Sequence, residues 1–266
     1  MKQRVISAIV AFIIFIPLFI IGGIPFNIAF YVLTVLGLRE FMKVKDKEKK
    51  FPDFIRLVAY IMITLLYFGC TLKGNMDFNF DYRMVAGIFL TLLMPVVLYH
   101  NSKVYNVKDA FYLLGGVFFL GFSMSLFSMY RTNSLSLVIY LFMITIITDS
   151  FAYFGGRLIG KTKLLEVISP KKTWEGTIIG SLVGTFVCSV YYLTVINTDA
   201  SIFAVSIVTL FLSLVGQFGD LFFSAIKRKY EVKDFSNLMP GHGGVLDRLD
   251  SIIFVMLAFT FFLNIL

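Results

Sequence analysis

IFAVSIVTLFLSLVGQFGDLFFSAIKRKYEVKDFSNLMPGHGGVLDRLD, residues Ile202 to Asp250, sets a long apolar run against a dense polar stretch. The run from Ile202 to Phe223 is long enough to cross the roughly 30 Å hydrocarbon core of a bilayer as a helix. Continued to about Tyr230, that helix reaches roughly 43 Å at 1.5 Å per residue, so it crosses the core and projects beyond it. Beyond it, Lys227, Arg228, Lys229, Lys233, Asp234, His242, Asp247, Arg248 and Asp250 crowd together in a chain otherwise dominated by Phe, Leu, Ile and Val. The apolar run decides the fold, and the polar stretch is where chemistry is expected.

Working outward, the same kind of run recurs. The chain has 266 residues, 58% hydrophobic and 15% charged, far from a soluble globular composition. Runs long enough to cross a bilayer fall near Val5 to Ile21, Ile24 to Leu38, Phe54 to Leu72, Met84 to Tyr99, Ala110 to Met129, Leu135 to Phe154, Thr177 to Ile196, Ile202 to Phe223 and Ile252 to Leu266. The expected fold is therefore all-α, a polytopic integral membrane protein of about nine helices. We expect an N-terminal region of five spans over 1–134 and a catalytic region over 135–266 with cytoplasmic loops 155–176 and 224–251. The first span follows MKQR but lacks a clear small-residue cleavage site, and a second span starts almost at once, so it is read as part of the mature protein.

Basic residues set the orientation. With a cytoplasmic N-terminus, 21 of the 24 Lys and Arg fall on the inside, and only Lys73, Arg83 and Arg131 fall outside. The net charge of +8 is thus explained by topology and anionic lipid headgroups, and there is no nucleic-acid motif. Cys70 and Cys188 are too few and too isolated for a disulfide or zinc framework. An odd helix count makes a homodimer the expected assembly.

Three features of the polar stretch can be read physically. Asp220, Ser224 and Lys227 share one face of a continuing helix. Gly241, Gly243 and Gly244, after Pro240, let backbone N–H groups approach an anion closely. Asp247 and Asp250 share a face if a helix resumes. Carboxylates beside fixed cations and a glycine-rich turn suit a phosphate ester with a divalent metal. The competing reading is a solvated basic loop, which has no need of three aspartates and a GHGG turn.

A second informative stretch is TDSFAYFGGRLIGKTKLLEVISPKKTWEGTIIG, Thr148 to Gly180. Asp149 lies near the cytoplasmic end of a span, where an acid is expensive enough to be functional or to pair with another helix. Ser169 reads as an N-cap and Pro170 as the first helical residue, so that free N–H groups, the helix dipole, Lys171 and Lys172 converge on an anion. Gly156 and Gly160 form a small-xxx-small pair for close helix packing. Gly216, Gln217 and Gly219 beside Asp220 leave room for a cavity. By contrast, REFMKVKDKEKKFPDFIR, Arg39 to Arg56, reads as a solvated helix end and turn at the membrane surface, outside the candidate site. Pro17 and Pro95 kink spans, and His100 is a loop residue.

SAIKRKYEVKD, PGHGG and LDRLD together resemble the signature of the phosphatidate cytidylyltransferases, also called CDP-diacylglycerol synthases. Met239 stands where that pattern usually carries Leu, Ile or Phe. SPKKTWEG, and DSFAY with its following glycines, resemble a second segment of the same family. The resemblance implies transfer of a cytidylyl group from CTP to phosphatidic acid, giving CDP-diacylglycerol and pyrophosphate, on the cytoplasmic side of a bacterial cytoplasmic membrane. CTP is taken from the resemblance alone.

Under that resemblance Asp220 and Asp247 are expected to hold Mg2+, as one ion or a pair, with Asp250 or Asp149 in support. Lys227, Arg228, Lys233 and Arg248 would neutralise the triphosphate and the lipid phosphate, and Asp234 would orient a lysine or contact the metal. Lys171 and Lys172 would close over the nucleotide or the leaving pyrophosphate. Ser169, Ser224, Gly243 and Gly244 would line the substrate, and His242 would donate to a phosphate oxygen. Two other readings are a CTP-dependent enzyme with another lipid phosphate or isoprenoid acceptor, and a transporter. Against transport, no internal repeat is evident, and the charges gather on one face of the membrane.

Overall fold

The computed structural model describes residues 2–71, 82–239 and 241–263. Leu72 at the end of the third expected span, Lys73, Pro240 and the end of the ninth expected span at 264–266 lie outside the described residues. Nine α-helices run through the described residues: α1 Lys2–Ile21, α2 Gly23–Lys45, α3 Asp53–Thr71, α4 Tyr82–Leu98, α5 Val107–Asn133, α6 Leu135–Ile159, α7 Trp174–Tyr191, α8 Ile202–Lys229 and α9 Leu246–Phe259. The one sheet among them is a hairpin of β1 Lys163–Leu165 and β2 Ser169–Thr173. Among the described residues, six segments are long and apolar enough to cross a membrane: α2, α3, α5, α6, α8, and α7 together with the π-turn that extends it to Ile196. α4 is apolar but shorter. The chain is an all-α membrane protein.

Two compact units divide the chain. The first is Met1–Asn133 with Val232–Asp247, and the second is Ser134–Glu231 with Arg248–Leu266. In the first, small residues bring α5 against its neighbours: a Cβ at Gly116 would lie 2.7 Å from the Phe41 ring, and one at Gly121 the same distance from Leu66. Phe26 stacks on Phe30, whose ring packs tilted against Phe127 in the interior. The buried Tyr67 hydroxyl satisfies itself on Ser128 and on the Asn27 carbonyl, as a polar group in an apolar bundle must. Arg131, counted on the outside by charge, donates to the Phe19 and Ile20 carbonyls and so satisfies the end of α1.

The Arg39–Arg56 stretch differs from its sequence reading as a solvated turn. α2 continues through it to Lys45, and Glu40 and Lys45 are buried. Asp109, at the start of α5, takes the Lys49 ammonium at 2.5 Å and lies 3.7 Å from that of Lys45, and Arg56 pairs with Asp46 at 2.8 Å. Alternating charge looked like solvation because the partner, Asp109, lies more than fifty residues away in sequence.

In the second unit, α6 starts on a Ser134 cap that accepts the Leu137 N–H. Its backbone then lies directly on α7. A Cβ at Gly176 would meet the Ala152 carbonyl oxygen at 2.5 Å, and one at Gly180 the Thr148 carbonyl oxygen at 2.5 Å. Hydroxyls tie these helices to α8: Thr148 to Ser213 at 2.8 Å, Tyr140 to Thr209 at 2.7 Å, and Ser189 to Thr209 at 3.3 Å. Such bonds and close backbone approach replace the hydrophobic effect, which lipid does not supply between helices.

Ser169 is not an N-cap. Ser169–Thr173 is a strand paired antiparallel with Lys163–Leu165, and α7 begins five residues later, at Trp174, with the Thr173 hydroxyl accepting the Gly176 N–H. Thr173 caps better because the hairpin uses the 169–173 backbone for pairing, and the Trp174 N–H is already given to the Thr162 carbonyl.

Gly180→Ala drives a methyl into backbone that cannot retreat, so it should destabilise the protein by about 1–3 kcal/mol. Thermal unfolding in detergent checks this, with Leu182→Ala, on an exposed position, expected to stay close to wild type.

Candidate active site

α8 carries Asp220, Ser224 and Lys227 on one face, and the Ser224 hydroxyl donates to Asp220 Oδ1 at 3.3 Å. The hairpin brings a cation to the same place. Lys172 Nζ sits 2.8 Å from Asp220 Oδ2 and 3.4 Å from the Gln217 carbonyl oxygen. Gln217 is itself fixed by donating to Ser181 at 2.8 Å. Arg228 Nε donates to the Ile168 carbonyl at 3.3 Å, so the hairpin turn is anchored on the end of α8.

Two more carboxylates join them within this unit. Asp149, on α6, feels the charges of Lys172 and Asp220 and accepts a bond from the Ser251 hydroxyl. Asp250, in the first turn of α9, feels Asp220, Lys227 and Asp149. Close packing puts it there: a Cβ at Gly219 would meet the Asp250 carbonyl oxygen at 2.8 Å. Desolvation first, and the Asp220 charge next, push the Asp250 carboxyl above the ordinary carboxylate range. Lys227 is buried, whereas Arg228, Lys171 and Arg248 are exposed. Asp149, Asp220, Asp250, Lys172 and Lys227 thus form one electrostatic cluster, open on the side of the exposed Asp149.

The other expected site residues belong to the first unit. Lys233 and Asp234 are exposed, and His242 is half-buried. Gly241 and Gly243 have φ of 80° and 85°, the left-handed region that glycine adopts without strain. The His242 and Gly243 N–H groups close onto the Met239 carbonyl, and Met239 N–H returns to the Gly243 carbonyl. Asp247 Oδ2 accepts the Gly244 N–H at 2.9 Å and the Phe235 N–H at 2.8 Å, tying the 232–247 segment to the start of α9. Glu40, which sequence reasoning left out, accepts from Val245 N, Leu246 N and the Ser236 hydroxyl. Its signal was available: Glu40 lies three residues after Gly37 and four before Val44, on the buried face of α2.

Among the described residues, no three His, Cys, Asp or Glu side chains stand close enough to cage a metal ion. Mg2+ does not require a cage. It keeps waters and is held by one or two carboxylates together with substrate phosphates, so the oxygen donors of Asp149, Asp220 and Asp250 fit it.

The chain matches the profile of the Cytidylyltransferase family over residues 2–266, and it belongs to that family. It is 35% identical to the phosphatidate cytidylyltransferase of Staphylococcus haemolyticus (strain JCSC1435) over 257 residues, covering 96% of both chains. The enzymes of the same name from Staphylococcus aureus (strain COL) and Staphylococcus saprophyticus are 34% and 32% identical over the same length and coverage. It is a nucleotidyltransferase enzyme.

Lys172 pairs with Asp220, so it would compete with any cation bound there. Lys172→Gln should tighten Mn2+ binding to the ligand-free protein by about fivefold, the worth of a partly exposed pair of ~1 kcal/mol. Lys172→Arg, which keeps the charge, should bind like wild type. Titration followed by Mn2+ electron paramagnetic resonance reads both.

Proposed function

We propose that this chain transfers the cytidylyl group of CTP to phosphatidic acid, yielding CDP-diacylglycerol and pyrophosphate. The observation that carries the reading is the cluster of Asp149, Asp220 and Asp250 with Lys172 and Lys227, which combines hard oxygen donors with fixed positive charge. The enzyme name borne by the staphylococcal relatives supports the choice of substrates.

A phosphatidic acid monoester has its second pKa near about 6, so its phosphate is largely dianionic at neutral pH and attacks the α-phosphorus of the nucleotide without a strong base. Catalysis then rests on positioning and charge neutralisation. Lys227, Arg228, Lys233 and Arg248 neutralise the triphosphate and the lipid phosphate. Lys171, exposed on the hairpin, and Lys172 meet the nucleotide or the departing pyrophosphate. Ser169 and Ser224 line the substrate, and His242 donates to a phosphate oxygen. Gly243 and Gly244 act through the turn they shape, and Asp234 orients a neighbouring cation. Asp220, with Asp149 and Asp250 beside it, would hold Mg2+, as one ion or two, while Asp247, first expected as a ligand, would serve the turn at the start of α9 by accepting the Gly244 and Phe235 N–H groups. When bound, the metal polarises phosphoryl oxygens and offsets developing negative charge.

The proposed topology has nine crossings, a cytoplasmic N-terminus and the site on the cytoplasmic face, where a membrane lipid and a soluble nucleotide meet. The basic-residue distribution supports it. In a background lacking Cys70 and Cys188, a cysteine at Lys171 or Lys233 should react with an impermeant maleimide in inside-out vesicles and stay unlabelled in right-side-out ones. The reverse pattern would invert the topology.

The direct test offers purified protein phosphatidic acid and Mg2+ with labelled CTP, ATP, GTP or UTP, and follows pyrophosphate and lipid-linked nucleotide together. CTP alone should yield a CDP-lipid, chelation of Mg2+ should abolish it, and Asp220→Asn should lower kcat by roughly 100-fold or more, about 2.7 kcal/mol of transition-state stabilisation. Transfer to an isoprenoid phosphate in place of phosphatidic acid would move the assignment to a different acceptor, and full activity of Asp220→Asn would remove it from the metal site.

A further inference from the structure

Glu40 stands at the end of α2 in a stretch whose charge pattern reads as surface, yet its side chain is buried. Its Oε1 accepts the Val245 N–H at 2.9 Å and the Ser236 hydroxyl at 2.6 Å, and its Oε2 accepts the Leu246 N–H at 2.9 Å. Val245 and Leu246 open α9, so these are N–H groups that a helix start leaves unsatisfied, at the positive end of its dipole. A helix start of this kind is where a phosphate would ordinarily bind. Here the protein supplies the anion itself.

The surroundings are cut to fit that carboxylate. A Cβ at Gly244 would fall against both Glu40 oxygens, too close for any side chain, so glycine is required there for space. One turn earlier on α2, Gly37 leaves room for Leu246, whose methyl would lie 3.2 Å from a Cβ at that position. Gly244 also donates to Asp247 Oδ2, and Asp247 in turn takes the Phe235 N–H. Successive amides of the turn are therefore divided between two carboxylates, Gly244 to Asp247, and Val245 and Leu246 to Glu40. The Ser236 hydroxyl extends the Glu40 clamp to the segment that carries Lys233 and Asp234.

We propose that Glu40 is a positioning residue for nucleotidyl transfer: its carboxylate clamps the start of α9 to the 236 segment and thereby holds the His242–Asp247 turn in one conformation. The role rests on the reading of that turn as part of the reaction site. Glu40 itself touches no substrate. A glutamine there keeps the shape but replaces one acceptor oxygen with an NH2 donor facing a hydrogen-bond donor, so part of the clamp is lost without a change of volume.

Hydrogen–deuterium exchange and steady-state kinetics on the detergent-purified full chain test this together. In Glu40→Gln, amides of the 241–247 segment should exchange at least about tenfold faster, with exchange in α6 and α7 unchanged. The kcat with CTP and phosphatidic acid should fall at least about tenfold while KM for CTP stays within about threefold. Gly244→Ala, which leaves Glu40 in place but displaces its carboxylate, should reproduce both effects, and it decides the matter if Glu40→Gln does not fold. Ser236→Ala should move both in the same direction and by less. Unchanged exchange at 241–247, or faster exchange spread evenly over the chain with kcat per folded molecule intact, overturns the proposal. If the wild-type protein carries out no cytidylyl transfer, the functional reading fails, and the segment-specific exchange still decides whether the clamp exists.

Discussion

A carboxylate placed in an apolar chain must find positive charge or N–H donors, and much of the polar architecture here follows from that requirement. The second unit answers with lysines. Asp220 is paired with Lys172 at 2.8 Å, while Asp250 feels Lys227 from α8. The first unit does the same at Asp109 and Asp46, but at the start of α9 it answers with backbone. Glu40 and Asp247 take the N–H groups of Gly244, Val245 and Leu246, where α9 begins. The two solutions have different consequences. A lysine on a hairpin can exchange its carboxylate for a phosphate or yield it to a metal, whereas a carboxylate on helix N–H groups is a fixed support.

The helix bundle serves this arrangement by keeping backbones close. Gly176 and Gly180 bring α7 onto α6 at backbone distance, and α7 is entered directly from the hairpin strand that carries Lys171 and Lys172. Thr173 ends that strand and caps the helix, so the position of Lys172 is coupled to the start of α7 one residue later. Gln217, held by Ser181 of α7, presents its carbonyl to Lys172 from the α8 side. The cation is therefore aimed by three elements that are packed through small residues and hydroxyls.

The helices were legible in the sequence because lipid demands long apolar runs, and among the described residues six such runs are helices long and apolar enough to cross a membrane. The common face of Asp220, Ser224 and Lys227 follows from helical periodicity and is found on α8. Two readings failed for physical reasons. Ser169 and Pro170 carry the marks of a helix start, but the backbone there is claimed by pairing with Lys163–Leu165, a partner that local rules do not reveal. The Arg39–Arg56 stretch looked solvated because its mixed charges find their counter-charges at Asp109 and at the amides of Val245 and Leu246, both distant in sequence. Gly241, Gly243 and Gly244 were read as letting backbone N–H groups approach an anion closely. These glycines do allow close approach, but the adjoining amides of Gly244, Val245 and Leu246 are spoken for by the chain's own carboxylates.

The proposed role of Lys172 is to balance Asp220 until a metal and a nucleotide arrive. An experimental structure of the protein with Mn2+ and a non-hydrolysable CTP analogue, with the metal located by its anomalous signal, tests it most directly. The metal should lie on Asp220, with Asp149 or Asp250 beside it, and the Lys172 ammonium should have moved from Asp220 onto a phosphate oxygen. A metal bound away from these three aspartates, with the Lys172–Asp220 pair intact beside bound nucleotide, would contradict it.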